Sequence, residues 1–154
     1  MPGTIDARLA ELGLTLPDAP APAANYVPYV RAGDLLFISG QISQGPDGLI
    51  RGRLGDTMDV AEGAEAARRC GLSLLAQARA ALGGDLGRVV RVVKLTGFVN
   101  STPDFTDQPK VINGCSDLMV AVFGEAGRHA RAAVSAPALP LGVAVEIEAV
   151  LQVA

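Results

Sequence analysis

Aromatic side chains are scarce in this sequence: they make up 4% of its 154 residues, and tryptophan is absent. Charged residues make up 19%, below the roughly 25% of an average soluble domain. Hydrophobic residues reach 49%, and many of them are small alanines and valines. Such a composition is compatible with surface buried against partner subunits. The length suits one domain spanning residues 1–154, with residues 1–16 as an N-terminal helical extension.

Cysteine and histidine are also rare. The chain has two cysteines, Cys70 and Cys115, and a single histidine, His129. The cysteines lack C-x-x-C spacing, so two reduced thiols in a cytoplasmic protein are the simplest interpretation. One histidine and two separated cysteines do not make a ligand set, and no metal site is predicted.

Several signals of other protein classes are missing. No run of 18 uncharged apolar residues occurs, so no transmembrane helix is predicted. The N-terminus carries Asp6 and Glu11 and lacks the basic start and apolar centre of a signal peptide. A net charge of −3 argues against nucleic-acid binding, which relies on basic surface. The glycines form neither a P-loop nor a dinucleotide fingerprint, and residues 39–41 lack the context of a nucleophile elbow.

The clearest element is a helix over residues 59–82, where apolar residues recur at helical spacing. Asp59 is its predicted N-cap, Glu62 the capping-box partner, and Gly83 and Gly84 end it. The proline- and alanine-rich segment 16–28 is predicted to lie extended along a surface without joining the central sheet.

Periodicity and turn signals predict the remaining elements. Further helices are expected over residues 4–12 and 110–123, and strands over residues 35–39, 49–53, 88–99, 130–136 and 143–153. After the first helix the order is β-β-α-β-α-β-β. This order predicts an α+β domain in which two helices pack on one face of a mixed sheet.

Charged residues that could carry chemistry lie near the C-terminus. Glu146 and Glu148 share one face of the last strand, because strand side chains alternate. If another subunit covered that face, desolvation would raise the proton affinity of a carboxylate toward that of a general base. Arg131 begins the preceding strand among alanines, which leave room for a ligand carboxylate to bind the guanidinium with two hydrogen bonds. The same residues equally fit ordinary charges at strand edges.

The spacing of these residues raises a geometric problem. A simple hairpin centred on residues 139–142 would place Glu146 opposite residue 136 and Arg131 about 17 Å further along. A bulge, long side chains or a subunit interface would have to close that gap. His129 is interpreted as a structural hydrogen-bonding residue, not as a catalytic base. It would point to the opposite face from Arg131 if the strand already ran through residue 129.

The motifs together resemble the RidA family of enamine/imine deaminases, also named the YjgF or L-PSP endoribonuclease family. The likeness covers about residues 22–154. It rests on Tyr26, residues 35–41 (LLFISGQ), Asn113, and a C-terminal signature of Arg131, Leu139-Pro140 and residues 145–148 (VEIE).

This resemblance implies a chorismate-mutase-like fold and a homotrimer with three clefts between subunits. Members of the family hydrolyse 2-imino acids to 2-keto acids and ammonia. By position, Arg131 would hold the substrate carboxylate, and Glu146 would position or activate the attacking water. The residues implied to line the pocket are Tyr26, Ser39, Gly40 and Asn113. The family implies no metal, organic cofactor, nucleic acid or membrane partner.

Departures from the family pattern leave other functions open. Ala133 stands where the family often has cysteine or threonine, and the N-terminal helix and the loop 100–111 resemble a longer-chain subgroup. A non-catalytic trimer that binds small carboxylates is one alternative. Ribonuclease activity is another, suggested by the older family label, although the acidic composition and the lack of a histidine pair or metal set argue against it.

Overall fold

The computed structural model describes residues 2–154, with side chains described from Thr4 onward. Met1, which belongs to the predicted domain 1–154, lies outside the described residues. The helices are α1 (Pro2–Glu11), α2 (Val60–Ala81) and α3 (Gln108–Phe123). The strands are β1 (Tyr29–Ala32), β2 (Leu35–Ile42), β3 (Gln44–Gly45), β4 (Gly48–Leu49), β5 (Val89–Asn100), β6 (Ala130–Ala136) and β7 (Val145–Val153). Short 3₁₀ turns occupy Leu86–Arg88, Gly124–Gly127 and Pro140–Gly142.

Five of the strands form one mixed sheet in the order β1-β2-β7-β5-β6, and β3 pairs with β4 in a separate hairpin. Strands β5 and β6 are parallel, which the crossover through α3 requires, and the other pairs are antiparallel. Helices α2 and α3 pack against one face. The predicted α+β fold class is therefore confirmed. The simple hairpin considered for the last two strands does not form, because β5 lies between β6 and β7.

The helix signals are reproduced closely. Asp59 caps α2 as predicted: its Oδ1 accepts a hydrogen bond from the Glu62 N–H at 2.8 Å, and Glu62 Oε1 accepts one from the Asp59 N–H at 3.1 Å. This reciprocal pair satisfies two N–H groups that a helix start otherwise leaves free. Helix α3 begins two residues earlier than predicted, with a proline in its first turn, where the missing N–H costs nothing.

The strand predictions hold less well at the N-terminal side. Strand β1 was not predicted, because four residues between Pro28 and Gly33 give too short a pattern. Residues 16–28 form no strand, as expected. The predicted strand over 49–53 shrinks to β4, and Gly52, at a φ of 155°, breaks the extended run. The last strand begins at Val145 instead of residue 143.

The core lies between the sheet and helices α2 and α3, which approach each other closely. A Cβ at Gly114 of α3 would overlap the backbone carbonyl of Ala64 in α2. Both cysteines are free thiols in this layer. Burial raises the pKa of Cys115 to about 12, and it raises the pKa of Cys70 well above its ordinary value. Both thiols are therefore unreactive near neutral pH.

Within residues 2–154, no helix packs against the opposite face of the sheet. Large apolar side chains remain exposed there: Val30 is 52% exposed, Phe37 45% and Val134 44%. Such a concentration of apolar side chains on one sheet face is typical of surfaces that contact another protein. Across residues 2–154, none of the helices has the length and apolar character needed to span a lipid bilayer.

The close approach of α2 and α3 gives a test of the fold. Alanine normally stabilises an exposed helix interior by about 1 kcal/mol relative to glycine. Gly114→Ala should instead destabilise the protein by about 1–3 kcal/mol, because the new methyl group meets a backbone carbonyl and the helices must separate. Chemical denaturation measures the change.

Gly45→Ala is the matched control, since its Cβ would make ordinary contact with Arg69 at 3.8 Å. Its effect should stay within about 1 kcal/mol. A Gly114→Ala variant that is more stable than the parent protein would contradict the described helix packing.

Candidate functional site

A bulge in β2 sets the position of Glu146. The pairing of β2 with β7 shifts register between Ile38 and Gln41, and Gly40 lies within the shift. A Cβ at position 40 would overlap the Glu146 carboxylate. Glycine therefore lets this carboxylate lie directly against the backbone of the neighbouring strand, as glycines in bulges often do.

The bulge borders a cleft of about 640 Å³. Tyr26, Gly40 and Glu146 line it together with the proline-rich segment 20–24 and Leu141. Three of the predicted site residues therefore meet at one cavity.

Ser39, also a predicted pocket residue, supports this wall without lining the cavity. Its hydroxyl donates a hydrogen bond to the Val27 carbonyl at 2.8 Å, and its backbone N–H donates to the Pro28 carbonyl at 2.9 Å. These bonds fasten the segment that carries Tyr26 to the bulge.

Glu146 is half-buried, whereas Glu148 is exposed. Burial raises the pKa of Glu146 above its ordinary value, and the nearby negative charge of Glu148 raises it further. No partner for the Glu146 carboxylate occurs among the hydrogen bonds and ion pairs of the described chain. A carboxylate with raised proton affinity at the wall of a cleft is suited to accept a proton from water.

Arg131 lies in a second group of polar residues. Its Nη1 donates hydrogen bonds to Asn113 Oδ1 at 2.8 Å and to Ser116 Oγ at 3.2 Å, both on α3. Within residues 2–154, neither Nε nor Nη2 of Arg131 has a hydrogen-bond partner. This second edge of the guanidinium is the one that binds a carboxylate side-on with two parallel bonds.

The two groups do not share a pocket within one chain. Arg131 is in register with Leu95 of β5, which is buried beneath the helices, whereas Glu146 is in register with Phe98. Residues three apart in a strand point to opposite faces. Arg131 and Asn113 therefore lie on the helix side at the β6 edge, and Glu146 lies on the open face of the sheet.

Two contributors near Arg131 were not singled out from the sequence for this role. Ser116 follows Asn113 by three residues, the spacing that places two side chains on one helix face, and this signal could have identified it. His129 is a hydrogen-bonding residue as predicted, and it precedes β6, so the orientation expected for a strand residue does not apply to it. Its Nε2 lies 2.8 Å from Ser116 Oγ, on the same side of the sheet as the arginine.

Metal binding finds no support in the side-chain arrangement. Over the part of the chain that the structure describes, no three His, Cys, Asp or Glu side chains are grouped to hold an ion. The polar groups at the two places are one carboxylate, one guanidinium, an amide, an imidazole and hydroxyls, a set suited to binding a small organic anion and to moving a proton.

Known proteins are similar to this chain in sequence and in fold. The family model described as "YjgF/chorismate_mutase-like, putative endoribonuclease" matches residues 6–150. Protein TCP17 from Trypanosoma cruzi is 52% identical over 152 residues, covering 97% of this chain and 94% of its own length.

Solved structures are similar to this chain in fold. The crystal structure of protein Atu1372 from Agrobacterium tumefaciens, whose function is unknown, superposes with a TM-score of 0.90 at 46% identity, covering 99% of this chain and 95% of that one. The YjgF gene product of E. coli superposes with a TM-score of 0.61 at 29% identity, covering 88% of this chain and 93% of its own. The chain therefore belongs to the YjgF family, also named RidA, and has its chorismate-mutase-like fold.

Proposed function

We propose that this protein hydrolyses reactive 2-imino acids, and the enamines that tautomerise to them, to 2-keto acids and ammonia. The observation that carries the proposal is the half-buried Glu146 carboxylate, held against Gly40 at a cleft with its pKa raised. Arg131, with one edge of its guanidinium free of protein partners, supplies the carboxylate-binding group.

The reaction needs few catalytic groups. The imine carbon is already electrophilic, so positioning of the substrate and of one water accounts for most of the required assistance. In the proposed step, Glu146 takes a proton from water as the oxygen attacks the imine carbon, and it passes that proton to the imine nitrogen, which gives a neutral amino alcohol. Glu146 then moves the hydroxyl proton to the amine nitrogen, so that the C–N bond breaks, ammonia leaves and the carbonyl forms. Arg131 neutralises the substrate carboxylate throughout.

The two groups would meet across a subunit interface, which is the arrangement we propose for a homotrimer. Strand β6, with Arg131, is an edge of the sheet, and its outer backbone groups are unpaired in the single chain. The uncovered sheet face carries exposed Phe37 and Val134. A second copy packed there would cover the apolar face and bring its own Glu146 cleft to the Arg131 edge.

One feature favours the alternative of a non-catalytic carboxylate-binding trimer. Ala133, in register with Gly97 on the helix side, adds no donor or acceptor beside Arg131. The Arg131 group would bind a carboxylate whether or not hydrolysis follows. Turnover of an imine separates the two functions, because binding alone does not speed imine loss.

Single substitutions and their mixture test the proposed site. Imines generated from alanine or 2-aminobutyrate by an amino-acid oxidase serve as substrates, and their loss is compared with the spontaneous rate. Arg131→Ala and Glu146→Gln should each lower kcat/KM by about a hundredfold or more. Arg131→Lys keeps the charge but not the planar fork, so it should recover only part of the loss.

Mixing denatured Arg131→Ala and Glu146→Gln chains and refolding them together should restore about a quarter of wild-type activity. Each mixed trimer then holds one site with both residues intact. Mixtures that stay inactive although mixed trimers form would place the reaction within one subunit or elsewhere. Wild-type protein that binds pyruvate but never accelerates imine loss would establish the non-catalytic alternative.

The pKa of Glu146 also predicts a pH dependence. The base must be ionised, so kcat/KM should fall as the pH drops through the pKa of Glu146. Because the Glu148 charge contributes to the raised pKa of Glu146, Glu148→Gln should move this acidic limb to lower pH and leave the plateau nearly unchanged.

Asp6→Asn, which removes an exposed charge on α1, a helix that contributes no residue to the lining of the cleft, is the control and should not move the limb. A Glu148→Gln profile identical to that of the parent protein would mean that a group other than Glu146 controls the acidic limb.

A further inference from the structure

The hydrogen bonds of Arg131 continue beyond its immediate partners. Ser116 Oγ, which accepts from Arg131 Nη1, also lies 2.8 Å from His129 Nε2. On the far side of the ring, His129 Nδ1 lies 2.6 Å from the Gly127 carbonyl oxygen. All three side chains are half-buried. A chain of hydrogen bonds therefore runs from the guanidinium to the backbone of the turn that precedes β6.

The chemistry of these atoms fixes the direction of each bond. A carbonyl oxygen only accepts, so Nδ1 of His129 must carry a proton and donate to Gly127. In a neutral ring Nε2 is then an acceptor, and it receives the hydroxyl proton of Ser116. The Ser116 oxygen, its own proton directed at the ring, presents lone pairs to Arg131. Each donor in the chain thus has an acceptor.

We propose that Ser116 and His129 are positioning residues that hold Arg131 in the orientation required to bind the substrate carboxylate. This inference rests on the proposed function of Arg131. Asn113 and Ser116 both bind the same nitrogen, Nη1, so the guanidinium cannot rotate about its terminal bonds without losing both contacts. The Nε–Nη2 edge consequently faces away from α3, free for a carboxylate.

Ser116 does not act as a nucleophile in this arrangement, although a serine beside a histidine is a familiar catalytic pair. Its oxygen lone pairs are directed at Arg131, which withdraws electron density from them. Neither Ser116 nor His129 lines the cleft of Glu146. The pair acts on the substrate only through the arginine.

The first experiment measures directly which ring nitrogen of the histidine carries the proton. Because His129 is the single histidine of the chain, its imidazole ¹⁵N signals need no further assignment. The expected spectrum of the neutral ring shows the proton on Nδ1, the tautomer that is the minor one in water. Ser116→Ala should shift the ring toward the Nε2–H tautomer. A wild-type ring protonated on Nε2 alone would overturn the proposal, whatever the activity of the protein.

The second experiment tests the positioning of the arginine through ligand binding. Pyruvate, the product from the imine of alanine, is the probe, and its Kd is measured by calorimetry alongside KM for the imine. Ser116→Ala should raise both by about tenfold, the effect of losing one charge-assisted hydrogen bond, while kcat changes less than about twofold. Ser116→Thr, which keeps the hydroxyl, should restore much of the affinity. His129→Gln, which keeps an acceptor near the Nε2 position, should bind pyruvate more tightly than His129→Leu.

Ser135→Ala is the matched control. Ser135 lies on the same strand, and its hydroxyl is 2.6 Å from Ser101 Oγ with no link to Arg131, so its removal should leave Kd and KM unchanged. Pyruvate binding needs no turnover, so it separates the two proposals. Binding that weakens in Ser116→Ala, in a protein that hydrolyses no imine, supports positioning and refutes the deaminase. Pyruvate affinity unaffected by Ser116→Ala, or absent in the wild type, refutes the positioning role.

Discussion

Side chains alternate between the two faces of the central strands β7 and β5, and this alternation determines where the core and the candidate site residues lie. One set, represented by Ile147 and Leu95, is fully buried beneath α2 and α3. The intervening residues face the uncovered side of the sheet. A shift of one residue in either strand would move the entire core set to the open face. Glu146 lies on the open face because its neighbours Val145 and Ile147 belong to the core. Arg131 lies on the helix side because it is in register with the core residue Leu95.

This constraint explains why the candidate site is divided. A single sheet cannot present Glu146 and Arg131 to the same cavity, since they occupy opposite faces and β5 lies between their strands. One chain therefore carries two separate groups, which the proposed assembly would bring together. In one, a carboxylate rests against glycine backbone with its pKa raised by burial; in the other, a guanidinium is held at one nitrogen and open at its other edge.

The sequence was sufficient to predict the elements that depend on local signals. The capping box at Asp59 and the apolar periodicity of α2 are local, and the fold class followed from the order of elements. The sequence did not predict which strand pairs with β6. A hairpin and a parallel crossover use the same local residues, and they differ only in which distant strand is the partner. The role of Ser116 was hidden for a similar reason. Its spacing from Asn113 is visible, but the arginine that both residues hold lies on another element.

Residues 20–24 of the proline-rich segment form part of the wall of the cleft. Gln77 of α2 donates from Nε2 to the Pro20 carbonyl at 2.6 Å and to Gln41 Oε1 at 3.3 Å, and Gln41 donates to the Ser39 carbonyl at 2.9 Å. Both glutamines are buried, where an unpaired amide would cost about 1–3 kcal/mol. The amides are satisfied only while residues 20–24 lie over the cleft and the bulge keeps its shape. The conformation of residues 20–24 and that of the Ser39–Gly40 backbone are therefore coupled through two buried side chains. These side chains hold the wall of the cleft in place.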